Sequence, residues 1–232
     1  PATGKKVNFR TTVDCAVENN RIYEEWLVRD NLWIVKQLGF DPVDVAKKMA
    51  KNFNPKLTAG MESMGMNENM KGQLNPSIYR AKSNNIGEIC LEMLSKIYNY
   101  RLFNEVENYY APNAVVHYIC DKDLIGYQQI QGMLVSLFAS FPNANFLVER
   151  VSYNDRENEQ EFDVAVRWRL CGLHEGLGYF GKPTNKMVEI LGISHFTMVG
   201  GKVVEEWMTY DGLDVYRQIY VDSIEVKDED SI

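Results

Sequence analysis

The chain lacks any apolar run near the ~20 residues that a membrane-spanning helix requires, and no leader pattern of charged then apolar residues stands at its N-terminus. It also lacks a basic excess: 25 Lys and Arg face 32 Asp and Glu, a net charge of −7. Unspecific binding to nucleic acid or to acidic lipid needs a basic face, so neither is expected. Cys15, Cys90, Cys120 and Cys171 are widely separated, with no C-x-x-C pair. That spacing suits neither zinc nor a disulfide framework, and the four read as reduced, mostly buried thiols of a cytoplasmic protein. Only three histidines occur, His117, His174 and His195, too dispersed for a helical metal motif. No metal site is expected.

What is present has ordinary globular proportions, 45% hydrophobic and 25% charged. One stretch occurs twice. Residues 21–38 and 202–219 align without a gap at a constant spacing of 181. Glu24/Glu205, Glu25/Glu206, Trp26/Trp207, Asp30/Asp211, Leu32/Leu213 and Gln37/Gln218 are identical pairs. Self-similarity of this kind sets architecture before any local reading does. The simplest division makes residues 1–52 the C-terminal remnant of a first unit, 53–84 a linker, 85–222 a complete unit and 223–232 an acidic tail. Met61, Met64, Met66 and Met70 fall in the linker, as loosely ordered chain or as a soft contact surface.

The remnant reads as a β-hairpin, Val7–Val17 and Arg21–Arg29, turning at Asn19-Asn20, where asparagine tolerates positive φ. An isolated hairpin is marginal in water, so it must pack on the rest of the chain or on another subunit's sheet. Short helices should follow from Asp30 to near Gly39, and from the Asp41-Pro42 cap to about Asn52. In the complete unit, Ile86, Ile89, Cys90, Met93, Leu94, Ile97 and Tyr98 recur at helical spacing. A shorter helix over Phe103–Tyr110 should stop at Pro112, with a strand over Ala114–Ile119 and a helix over Gly126–Phe141. Four long antiparallel strands then follow: 145–153, 161–174, 186–199 and 202–210. This order predicts an α+β domain whose curved sheet wraps against helices.

That element order, with its tail, resembles the nuclear-transport-factor-2-like fold, a cone closed by a bent sheet and three helices. Within it, Gly172-x-His174-x-Gly176, Gly181-x-Pro183-Thr184-x-Lys186, Gly201-Lys202-Val203, Trp207-x-x-x-Asp211 and Arg217-Gln218 resemble the SnoaL-like polyketide cyclase family. Tyr98-Asn99 and Gly126 fit the same pattern. The resemblance implies a deep pocket that closes a polyketide ring by an aldol reaction, with an Asp as base and no metal or organic cofactor. It also implies pairing of two copies through the outer sheet faces, hence a homodimer in which the N-terminal hairpin takes part or is exchanged. The positions that carry the cyclases' Asp and assisting Asn are here Met208 and Met133, and a cyclase histidine falls on Ser194, one residue from His195.

A substitute base is therefore required, or the chain is a non-catalytic ligand-binding or assembly module. Glu206 shares a strand face with Met208. If that face lines the pocket, Glu206 is a buried carboxylate with a raised pKa; otherwise it is solvated or paired with an arginine. His174 is a pocket or rim residue, or else a strand-end histidine bound to backbone. His195 lies on the preceding strand, and Tyr98 stands at the family's first-helix tyrosine. The candidate catalytic residues are thus Glu206, His174, His195 and Tyr98, with His117, Met133, Trp168, Met208 and Tyr210 lining a pocket for a small, largely apolar ligand. Asp211 is read as a helix cap. Gly176-Leu-Gly178-Tyr-Phe-Gly181 satisfies G-x-G-x-x-G, but a strand rather than a helix should follow, so it is a turn and not a dinucleotide site.

Overall fold

The computed structural model describes residues 2–53, 79–156 and 160–221. Most of the expected linker, with its four methionines, and nearly all of the acidic tail lie outside the described residues. The chain runs β1 (Thr11–Glu18), β2 (Arg21–Arg29), α1 (Asn31–Leu38), α2 (Pro42–Lys51) and α3 (Ile86–Leu94). There follow α4 (Val106–Tyr109), β3 (Tyr110–Tyr118), β4 (Lys122–Ile125), α5 (Gly126–Ser140), β5 (Asn145–Asp155) and β6 (Glu161–Leu173). It closes with β7 (Met187–Val199), β8 (Lys202–Tyr210) and α6 (Gly212–Tyr220). No described helix is long and apolar enough to cross a membrane.

Six strands form one sheet in the order β4-β3-β8-β7-β6-β5, antiparallel throughout except where β3 lies parallel to β8. Along β6, Val164, Val166, Trp168 and Leu170 are buried, while Asp163, Ala165, Arg167 and Arg169 alternate to the other side. The first set joins Met93, Leu94, Tyr98, Leu134 and Phe138 of the helical layer in a single core. The result is the expected α+β architecture, a curved sheet closed by helices.

Two local expectations change. Pro112 does not stop a helix; it lies within β3, in the stretch between Tyr110 and Val115 where pairing with β8 is interrupted. Proline has no N–H to give a ladder, and such an interruption is where a strand can hold it. The helix before it is correspondingly shorter, a 3-10 turn over Phe103–Glu105 and then α4. Strand β4 was not foreseen; it returns from β3 through Cys120 and Asp121, both at positive φ, the backbone a tight hairpin turn requires. The glycine-rich turn carries no helix: Gly178 and Gly181 form an isolated bridge and β7 follows.

The N-terminal hairpin packs on the outer face of its own chain's sheet. Asp14 pairs with Arg167 at 2.8 Å and Arg150 at 3.1 Å, and the Arg167 guanidinium lies 4.5 Å from the centre of the Trp26 ring. Thr12 and Thr209 hydroxyls meet at 3.0 Å. Leu32 of α1 is fully buried beside Gly212, where an added Cβ would come within 2.9 Å of its side chain. The pairing register of β1 with β2 matches that of β7 with β8 at the spacing of 181, including the bulge after Ala16 and after Thr197. Positive φ recurs at Asn19-Asn20 and Gly200-Gly201, and Asp30 and Asp211 each cap the following helix.

Because α1 packs on α6 and Leu32 lies in the common core, Leu32→Ala should lower stability by about 2–5 kcal/mol within one cooperative urea transition. Two separate transitions followed by tryptophan fluorescence would show instead that the hairpin unit unfolds on its own.

Candidate functional site

On β8, Glu206, Met208 and Tyr210 turn to the inner side of the sheet, and all are buried. Glu206 has 0% relative exposure. The Tyr110 hydroxyl donates to its Oε2 at 2.8 Å, and Oε1 has no hydrogen-bond partner. The Ser194 hydroxyl, on β7, also favours the charged form. Burial outweighs both donors and pushes the Glu206 pKa from 4.5 up to about 7. Cys90 and Tyr98 face the same carboxylate, and burial together with its charge raises both of their pKa values. The Tyr98 phenol therefore stays protonated at neutral pH.

Trp168 closes this region from β6, its Nε1 donating to Ser194 Oγ at 3.2 Å and its ring 5.1 Å from that of Phe146. The Tyr98 ring packs on that of Phe146, tilted to it, with centres 4.5 Å apart. Met133 of α5 and Met208 are 8% and 1% exposed. Tyr210 meets the Tyr118 hydroxyl further along the interior. Tyr98, Glu206, Trp168, Met208 and Tyr210 thus share the inside of the cone, with Met133 in the same core.

The histidines lie elsewhere. His195 is exposed on the outer face, where it helps line a cleft of about 240 Å³ with Tyr153, Asp163, Thr197 and Trp207. Its neighbour Ser194 faces inward, because one residue's displacement along a strand reverses the side. His117 is also on the outside, with Nδ1 2.7 Å from Asp123, Nε2 2.9 Å from Glu205 and its ring stacked on Trp207 at 5.0 Å. His174 is fully buried beyond the end of β6, with Nδ1 3.2 Å from the Thr184 hydroxyl. Glu206 sits in register with Phe196 and Val164, so His174 is roughly 30 Å away along the strand, at ~3.3 Å per residue. None of the three reaches Glu206 from those positions.

Tyr110 and Ser194 are the site residues that sequence reasoning undervalued. A helix ending at Tyr110, as its sequence suggests, leaves no sign of its place opposite β8. Ser194 was visible only as the residue standing where the cyclases carry a histidine.

Among the described residues, no group of three or more His, Cys, Asp or Glu is arranged to hold a metal ion. A curved sheet closed by helices around a buried polar residue defines the cone-shaped, nuclear-transport-factor-2-like class. The profile of the family described as SnoaL-like polyketide cyclase matches residues 88–219, more than half of the chain. The chain belongs to that family. A protein of Jannaschia sp. CCS1, described as a SnoaL-like polyketide cyclase, has a similar fold with TM-score 0.50 and 20% identity, covering 60% of this chain and 97% of its own. TsrD of Streptomyces laurentii reaches TM-score 0.50 at 11% identity, covering 60% of this chain and 98% of its own. IdmH of Streptomyces antibioticus, described as a polyketide cyclase, gives 0.47 at 19%, covering 58% and 98%. No curated protein matches the sequence.

A carboxyl group with a folded pKa near 7 holds its proton more tightly than the unfolded chain does. Its contribution to stability is fully present below pH ~4.5 and falls as pH rises to about 7, then levels off, a loss of about 3 kcal/mol. Glu206→Gln should remove this slope and raise the urea midpoint at pH 8 relative to the parent. Identical pH profiles for the two proteins between pH 5 and 8.5 would show that Glu206 is not the buried acid described.

Proposed function

We propose that the cone binds a small, largely apolar carbonyl compound and that Glu206 exchanges a proton with it. The chemistry is cofactor-independent acid–base catalysis: ring closure, isomerisation or hydration. The observation that carries this reading is the Glu206 carboxyl itself, buried, with Oε2 held by Tyr110 and Oε1 unpartnered. A pKa of about 7 suits a base that must be ionised and still basic near neutrality. In this scheme Oε1 removes a proton next to the carbonyl, and the protonated Tyr98 hydroxyl stabilises the oxygen on which negative charge develops. His174 and His195 take no part, because neither lies within reach. A second copy would pair without exchanging the hairpin, which already has a partner in its own chain's sheet.

A second reading is favoured by Met133 and Met208, apolar and buried where the cyclases carry polar catalytic groups. On that reading the cone binds a ligand, or serves assembly, without turnover.

The ring-opening of 5-nitrobenzisoxazole, which needs only a base and an apolar site, separates the two. Turnover should rise with pH around a midpoint near 7 and fall about 100-fold or more in Glu206→Gln. A parent rate no greater than that of free acetate at equal concentration would overturn the acid–base reading in favour of the binding module.

A further inference from the structure

We propose that Trp168, acting through Ser194, is a positioning residue for Glu206, the three forming a diagonal chain of hydrogen-bonding groups across β6, β7 and β8. The proposal builds on the reading of Glu206 as the acid–base group.

Register places the three side chains on one line. Trp168 pairs with Gly192, two residues from Ser194; Ser194 in turn pairs with Met208, two residues from Glu206. Diagonal neighbours of this kind stand ~7–8 Å apart at the backbone, within reach of an indole and of a glutamate. The indole N–H can only donate, so at 3.2 Å the Ser194 oxygen must accept from it. The hydroxyl proton is then free to point only away from Trp168, and the inner-face acceptor on that diagonal is Glu206. Tyr110 approaches from β3 and holds Oε2. Oε1, which has no hydrogen-bond partner, is the oxygen left for a ligand.

Gly192 makes this arrangement possible. A Cβ at that position would lie 2.1 Å from Cζ2 of Trp168, so the indole lies across a bare backbone position on β7. Any side chain there would lift the ring and take Nε1 away from Ser194. The titratable groups facing Glu206 are Cys90 of α3, Tyr98 of the π-helical turn Ser95–Asn99 that continues α3, and Tyr110 of β3. Ser194 and Trp168 add donors that do not titrate in this range.

The test is the carboxyl carbon resonance of Glu206, followed against pH in protein labelled with 13C-glutamate and assigned through Glu206→Gln. Ser194→Ala removes a donor to the charged form and should raise the midpoint by about one pH unit. Trp168→Phe should move it in the same direction. The double variant should move it no further than Ser194→Ala alone, since the indole acts only through the hydroxyl. Ser194→Thr, which keeps the hydroxyl, should restore the parent midpoint. An unchanged midpoint in Trp168→Phe, or additive shifts in the double variant, would overturn the proposal. Should Trp168→Phe fail to fold, Gly192→Ala supplies the same test by displacing the indole, and an unshifted midpoint there is equally decisive. Because the resonance reports ionisation and not turnover, these shifts in a protein inactive toward 5-nitrobenzisoxazole would sustain the chain of donors while removing only the role of Glu206 as a base.

Discussion

Successive side chains along β7 and β8 face opposite sides of one sheet, and the bulge after Thr197 interrupts that count only once. This alternation sends Glu206, Met208 and Tyr210 inward and Glu205 and Trp207 outward. It separates Ser194 from His195 by the full thickness of the sheet. The core, the electrostatics of the interior and the polar cluster on the outer surface all inherit that division. Glu205 and Glu206 are adjacent in sequence and chemically alike. One pairs with His117 on the outer face, and the other sits in the interior with a pKa near 7.

The interior shows how competing terms resolve. Tyr110 and Ser194 both favour the ionised carboxylate, yet burial wins because two neutral donors recover only part of lost hydration. Methionine on the same strand face deepens that environment without adding polar atoms. A site of this kind favours one ionisable group at the expense of any second charge nearby, which agrees with Tyr98 and Cys90 staying neutral.

Much of the fold was legible because its signals are periodic. The alternation in β6, the helical stripe from Ile86 to Tyr98 and the doubled Glu-Glu-Trp segment each span many residues, so no single misreading hides them. Pro112 misled because proline reads locally as a breaker, whereas the interruption that accommodates it depends on β8, far along the chain. Strand β4 has only four residues and turns on Cys120-Asp121, a pair without a strong turn signature. The site was half legible. Strand parity placed Glu206 beside Met208, but the distance from His174 and the donor from Tyr110 are set by tertiary structure that sequence spacing does not encode.

The two hairpins share register, bulge and turn, but they meet different surroundings. Val13, Val17, Ile22 and Leu27 on β1 and β2 are 38%, 59%, 58% and 43% exposed. Their counterparts at the spacing of 181, Ser194, Met198, Val203 and Met208, lie at 2% or below. The same backbone thus presents one stripe to the core and the other to water, beside strand edges that pair with no further strand among the described residues. The consequence is colloidal. Those four outward side chains add apolar surface through which copies can associate as concentration rises, and Leu27→Lys is a modest change that would weaken such contacts while leaving the interior chemistry untouched.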